Sequence, residues 1–141
     1  MRNVLKESNQ KLEGWARSQS LWFFLMPASC CADEVTQTMS CRYDLERFGS
    51  KQVDTPEEAD LLIVQGSINE KMAAALKEIY SAMPGPKYVM AVGSCACGDV
   101  DQHIPVDIYV PGCPPRPEAI MSGIIKLQEK IKKTEGRGLN A

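Results

Sequence analysis

Leu21-Trp22-Phe23-Phe24-Leu25-Met26-Pro27-Ala28-Ser29-Cys30-Cys31-Ala32-Asp33-Glu34 is the stretch that decides the fold. Six apolar residues ended by a proline read as a strand buried on both faces. Two adjacent cysteines follow, and Asp33 and Glu34 then suit the positive end of a helix. The same order recurs twice. Tyr88 to Val92 runs into Gly93-Ser94-Cys95-Ala96-Cys97-Gly98, and Ile108 to Val110 runs into Pro111-Gly112-Cys113-Pro114-Pro115. In an open α/β sheet, ligands bind where loops leave the carboxyl ends of parallel strands. Three stretches should therefore deliver four thiols to one crevice: Cys30, Cys31, Cys95 and Cys113.

Such a set suits an iron–sulfur cluster or zinc. Structural zinc sites usually take cysteine pairs spaced by two to four residues, and the tandem pair does not fit that. A multi-iron cluster offers separate corners to two neighbouring thiolates from an irregular loop. The plainer alternative is loop or buried cysteines with no ligand. Gly93, Gly98 and Gly112 allow close backbone approach, and Pro111, Pro114 and Pro115 stiffen the last loop.

A length of 141 residues suits one domain, and 44% hydrophobic residues suffice for a core. A net charge of −2 gives no electrostatic footprint for nucleic acid. Residues 1–20 do not read as a signal peptide, so reduced cysteines are expected. The run from Leu21 to Met26 falls far short of the ~20 residues that span a bilayer.

Residues 1–20 read as a weakly helical arm, either frayed or docked on a partner, with Val4 or Leu5, Leu12 and Trp15 as a thin apolar stripe. A helix is expected from about Asp33 to Phe48, stopped by Gly49. Cys41 would lie inside it, roughly 12 Å beyond its start, as a core cysteine. Thr55-Pro56-Glu57-Glu58 predicts a short helical turn. Leu61 to Val64 reads as the second strand, and Ser67-Ile68-Asn69-Glu70 as the capping box of the next helix. Met83-Pro84 ends that helix. Strands follow at Tyr88 to Val92 and Val106 to Val110. The last helix starts at Pro117, with Ile120, Ile124, Leu127 and Ile131 as its buried stripe and lysines near its end. The expected organisation is an arm (1–20), one α/β domain with a mostly parallel sheet (21–133), and a polar tail (134–141).

Ser20-Leu21-Trp22, Cys30-Cys31, Arg42-Tyr43-Asp44-Leu45-Glu46-Arg47-Phe48-Gly49, Lys71-Met72-Ala73, Met83-Pro84, Gly93-Ser94-Cys95-Ala96 and the run from Ile104 to Glu118 together resemble the small iron–sulfur subunit of respiratory complex I. That superfamily includes the small subunits of membrane-bound nickel–iron hydrogenases and of archaeal sulfane reductase complexes. The resemblance implies a flavodoxin-like fold with helices on both faces and one 4Fe–4S cluster held by Cys30, Cys31, Cys95 and Cys113. It implies an electron-transfer subunit with no catalytic residues of its own. The partners would be a ferredoxin-like iron–sulfur donor, a large subunit that reduces the acceptor, and ion-pumping membrane subunits. The chain would sit at the cytoplasmic face of the membrane.

Glu34 matches an acidic position near the family's cluster and suits either a tuning role or simple dipole matching. His103, the sole histidine, suits ordinary surface or proton coupling. Two features depart from the complex I pattern. Cys97 is a second candidate thiol beside Cys95. The loop from Gly98 to His103 is shorter than the glycine- and aromatic-rich stretch that helps close a quinone site. The short loop makes a non-quinone acceptor, such as polysulfide or a disulfide, an alternative to quinone. The other readings are a hydrogenase small subunit, whose first cysteines are more often spaced, and a zinc-stabilised module. A flavin or nucleotide carrier is disfavoured, because the loop after the first strand has no glycine.

Overall fold

The apolar runs assemble into one five-stranded sheet. The computed structural model describes residues 2–26 and 30–137. Its elements are α1 (Arg2–Gln19), β1 (Leu21–Met26), α2 (Cys31–Thr38), β2 (Ser50–Val53), β3 (Leu61–Gln65), α3 (Glu70–Ala82), β4 (Tyr88–Val92), α4 (Ser94–Asp99), β5 (Ile108–Val110) and α5 (Pro117–Arg137). The strands are ordered β2-β1-β3-β4-β5, and every neighbouring pair is parallel. This is the flavodoxin-like order, in which the chain reverses direction across the sheet between β1 and β3. The expected fold class is the one found.

Strand alternation divides the core into two layers. Leu21, Phe23, Leu61, Ile63, Met90, Val92 and Val110 face α2 and α5, where they meet Cys31, Val35 and the α5 stripe Ile120, Ile124, Leu127 and Ile131. Met26, Leu62, Val64, Val89 and Ala91 face the other way, onto Leu76 of α3, Ala96 of α4 and the turn holding Val100 and Ile104. All four stripe residues of α5 are buried, as their spacing predicts. Gly123 lets α5 close on β5: a Cβ there would lie 2.7 Å from Val110 Cγ2.

Several local expectations change. Residues 2–19 form a full helix packed along α5, not a weakly helical segment. Its buried residues, among those described, are the small Gly14 and Ser18, while Leu12 and Trp15 of the expected stripe are exposed; the side chains of Val4 and Leu5 lie outside the described part. Trp22 is 42% exposed, so β1 is not buried on both faces throughout. The helix after Cys31 ends at Thr38. Ser40 O then accepts Tyr43 N and Asp44 N, and Asp44 adopts the left-handed conformation, φ 49°. Four residues of 3₁₀-helix follow at Leu45–Phe48. Cys41 falls in the intervening turn and is exposed, so it is not a core cysteine. Strand β2 was not expected. The cap of α3 is Asn69, whose side chain accepts Met72 N at 2.9 Å, rather than Ser67. Helix α5 continues to Arg137, into the expected tail, and residues 138–141 lie outside the described part.

Candidate functional site

The three cysteine-bearing segments leave the carboxyl ends of β1, β4 and β5, all on one edge of the sheet. Residues 27–29 of the first lie outside the described part. Cys30 is the N-terminal flanking residue of α2 and is exposed; Cys31 is its first residue and is 5% exposed. Cys95 is the second residue of α4 and is exposed. Cys113 lies exposed between β5 and α5.

Backbone contacts tie these segments together. Gly93 N donates to Val110 O at 2.8 Å, and Ser94 N donates to Gly112 O at 2.8 Å. The Ser94 hydroxyl bridges both polar groups of Gly112, at 3.2 Å to its carbonyl and 3.3 Å from its N–H. The loops carrying Cys95 and Cys113 are therefore one hydrogen-bonded unit. Cys31 reaches this unit from α2: a Cβ on Gly93 would stand 2.8 Å from Cys31 Sγ. Gly93 also has φ +93°, a conformation that side-chain-bearing residues rarely adopt. Gly112, at φ +152°, is pressed against Pro115, whose Cα would lie 2.5 Å from an added Cβ. Both glycines are required by close approach.

Cys97 points elsewhere. It packs with the α3/α4 layer, and its Sγ lies 3.8 Å from Ala91 O. Burial pushes its thiol up, only partly offset by a backbone hydrogen bond to Val110. Cys95, one turn position earlier, is open to solvent on the same edge as Cys30 and Cys113. Glu34 lies half-buried in the first turn of α2, and His103 follows the 3₁₀ turn after α4.

A polar link not visible from sequence flanks the cysteine edge. Tyr43 Oη donates to Glu118 Oε1 at 2.9 Å, joining the turn after α2 to the start of α5, five residues beyond Cys113. This bond, then burial, raises Tyr43. Glu118 is lowered first by its own backbone N–H and then by the Tyr43 hydroxyl.

Among the described residues, no three or more His, Cys, Asp or Glu side chains are gathered tightly enough to hold one metal ion. The donor set is nevertheless all sulfur: the Cys95 and Cys113 segments are hydrogen-bonded to each other, and Cys31 Sγ takes the space that Gly93 leaves. That arrangement fits a polynuclear group whose separate corners each take one thiolate better than it fits a lone zinc ion. No helix among the described residues is long and apolar enough to cross a membrane.

Fold and edge define a flavodoxin-like α/β protein with cysteine-bearing segments along the carboxyl edge of its sheet. Residues 29–99 and 97–127 match the family described as the NADH ubiquinone oxidoreductase 20 Kd subunit, and the chain belongs to that family. It is also similar to a chain in the structure of the membrane-bound sulfane sulfur reductase, an archaeal respiratory membrane complex. The two are 38% identical, over 92% of this chain and 82% of that one, with a TM-score of 0.83.

Proposed function

We propose that this chain is the electron-transfer subunit of a membrane-bound oxidoreductase complex, carrying one 4Fe–4S cluster on Cys30, Cys31, Cys95 and Cys113. The carrying observation is the joining of three cysteine segments at one sheet edge, through Ser94–Gly112 and the Cys31–Gly93 contact. The group, when bound, supplies one-electron redox chemistry. The protein's own work is to fix the thiolates and to shield one side of the site. Cys31 and Cys95 sit at helix starts, where unpaired backbone N–H groups favour negative charge. Cys31 is buried against the core, while Cys30, Cys95 and Cys113 remain open to a partner surface.

In this reading, electrons arrive from a ferredoxin-like subunit and leave to an acceptor site in a large subunit, and attached membrane subunits pump ions. The chain would lie peripherally at the cytoplasmic face. The compact turn Val100–Gln102, closed by buried Val100 and Ile104, replaces a longer loop. Together with the likeness to a sulfane sulfur reductase chain, it supports a sulfur-based acceptor over quinone.

The test is low-temperature paramagnetic resonance of the anaerobically purified, dithionite-reduced complex, in wild type and Cys95→Ser. A reduced-cluster signal lost or reshaped in the variant is the expected result. An unchanged signal would transfer the ligand to Cys97 or the cluster to another subunit. Zinc without any signal would overturn the redox reading.

A further inference from the structure

Gln65 ends β3, the strand beside the switch point, and is fully buried. Among the described residues, neither its Nε2 nor its Oε1 has a hydrogen-bond partner. A buried polar side chain normally finds one, so this amide is matched to something the described residues do not supply. Its direction follows from strand alternation. Leu61 and Ile63 share its face of β3 and pack in the same layer as Cys31. Its Cα partner on β4 is Val92, and the next residue is Gly93, the one against which Cys31 Sγ rests. The amide therefore lies at the floor of the cysteine edge, on the α2 side of the sheet and beside the segment after β4.

Resting on the cluster reading above, we infer that Gln65 is a sulfur-directed hydrogen-bond donor of the site, its amide N–H groups facing the Cys31 thiolate or an adjacent inorganic sulfide. A primary amide has two donor hydrogens, and hydrogen bonds to sulfur are among the determinants of a cluster's potential. An N–H···S bond strengthens as negative charge on the sulfur grows, so it favours the reduced state. Gln65 thus raises the potential of the site, and its substitution lowers it.

The test uses the intact complex, in wild type, Gln65→Met and Gln65→Asn. Methionine keeps the length and removes both polar atoms; asparagine keeps the amide but draws it back. Redox titration followed by paramagnetic resonance should show Gln65→Met reduced about tenfold less readily at a given potential, a negative shift of about 59 mV for one electron. Gln65→Asn should shift in the same direction. Hyperfine spectra recorded in H₂O and D₂O should lose an exchangeable-proton coupling in Gln65→Met. A reduced-cluster signal with unchanged midpoint and unchanged couplings would overturn the Gln65 assignment alone. Failure of Gln65→Met to fold or assemble would also overturn it, by making the amide a structural group. Absence of a cluster signal in wild type would instead overturn the reading on which it rests.

Discussion

The two ends of the sheet handle their polar groups differently. At the amino end, side chains close onto backbone. Asp107 Oδ2 accepts Val89 N at 3.0 Å, its Oδ1 receives Lys130 Nζ at 2.8 Å, and Gln128 Nε2 donates to Phe48 O at 2.7 Å. Ser50 Oγ is the exception there among the described residues, a buried hydroxyl with no partner among them. At the carboxyl end, three cysteines stand exposed, and the Gln65 amide is buried with no partner among the described residues. The amino end uses polar atoms to hold the fold. The carboxyl end gathers open thiols and an unmatched amide, as a site built to receive another group does.

The sharpest way to break this contrast is to add one methyl group at the cysteine edge and one in the helix–sheet packing behind it. Gly93→Ala drives a Cβ to 2.8 Å from Cys31 Sγ at φ +93°, adding strain of about 1–3 kcal/mol. It is expected to abolish cluster binding in the assembled complex. Gly123→Ala pushes α5 from Val110 and should lower stability by about 1–3 kcal/mol, measured by urea unfolding, with the cluster signal of the folded fraction retained. If both variants behaved alike, the carboxyl edge would be no more specialised than the packing behind it.

A smaller effect concerns Asp60, at the amino end just before β3. Burial raises its carboxyl, more than the Trp22 backbone bond and Arg17 lower it. The folded state therefore holds this proton more tightly than the unfolded one, and stability falls as pH rises from near 4 through the raised folded value. Asp60→Asn removes that penalty. Its stability advantage over wild type should be nil below the unfolded pKa, grow across that window and level off at neutral pH, as urea midpoints at several pH values would show. An advantage that instead grew toward acid would contradict the assignment.

Much of this was legible in the sequence, for particular reasons. Leu21–Met26, Leu61–Val64 and Tyr88–Val92 are uninterrupted apolar runs, so the central strands declare themselves. The α5 stripe has the helical period over several turns. Strand β2, Ser50-Lys51-Gln52-Val53, is an edge strand with only its end residues buried, and its composition carries no strand signal. Helix α1 packs along α5, and the residues it buries, among those whose burial is described, are the small Gly14 and Ser18 rather than apolar ones. The helix after Cys31 stops at Thr38 because the backbone turns at Ser40 and Asp44, and neither a proline nor a glycine marks the place. The cysteine edge could be anticipated from strand ends. The Ser94–Gly112 link and the Tyr43–Glu118 bond could not, since they join residues far apart in the chain. Gln65 left one trace: a polar residue closing an otherwise apolar strand.

The most direct test is the iron and acid-labile sulfide bound by the anaerobically purified chain, with serine placed at each of the six cysteines in turn. We predict loss at Cys30, Cys31, Cys95 and Cys113, and wild-type content at Cys41 and Cys97. Loss at Cys97 with retention at Cys95 would contradict the account, because the thiol turned toward Ala91 would then be the one that binds.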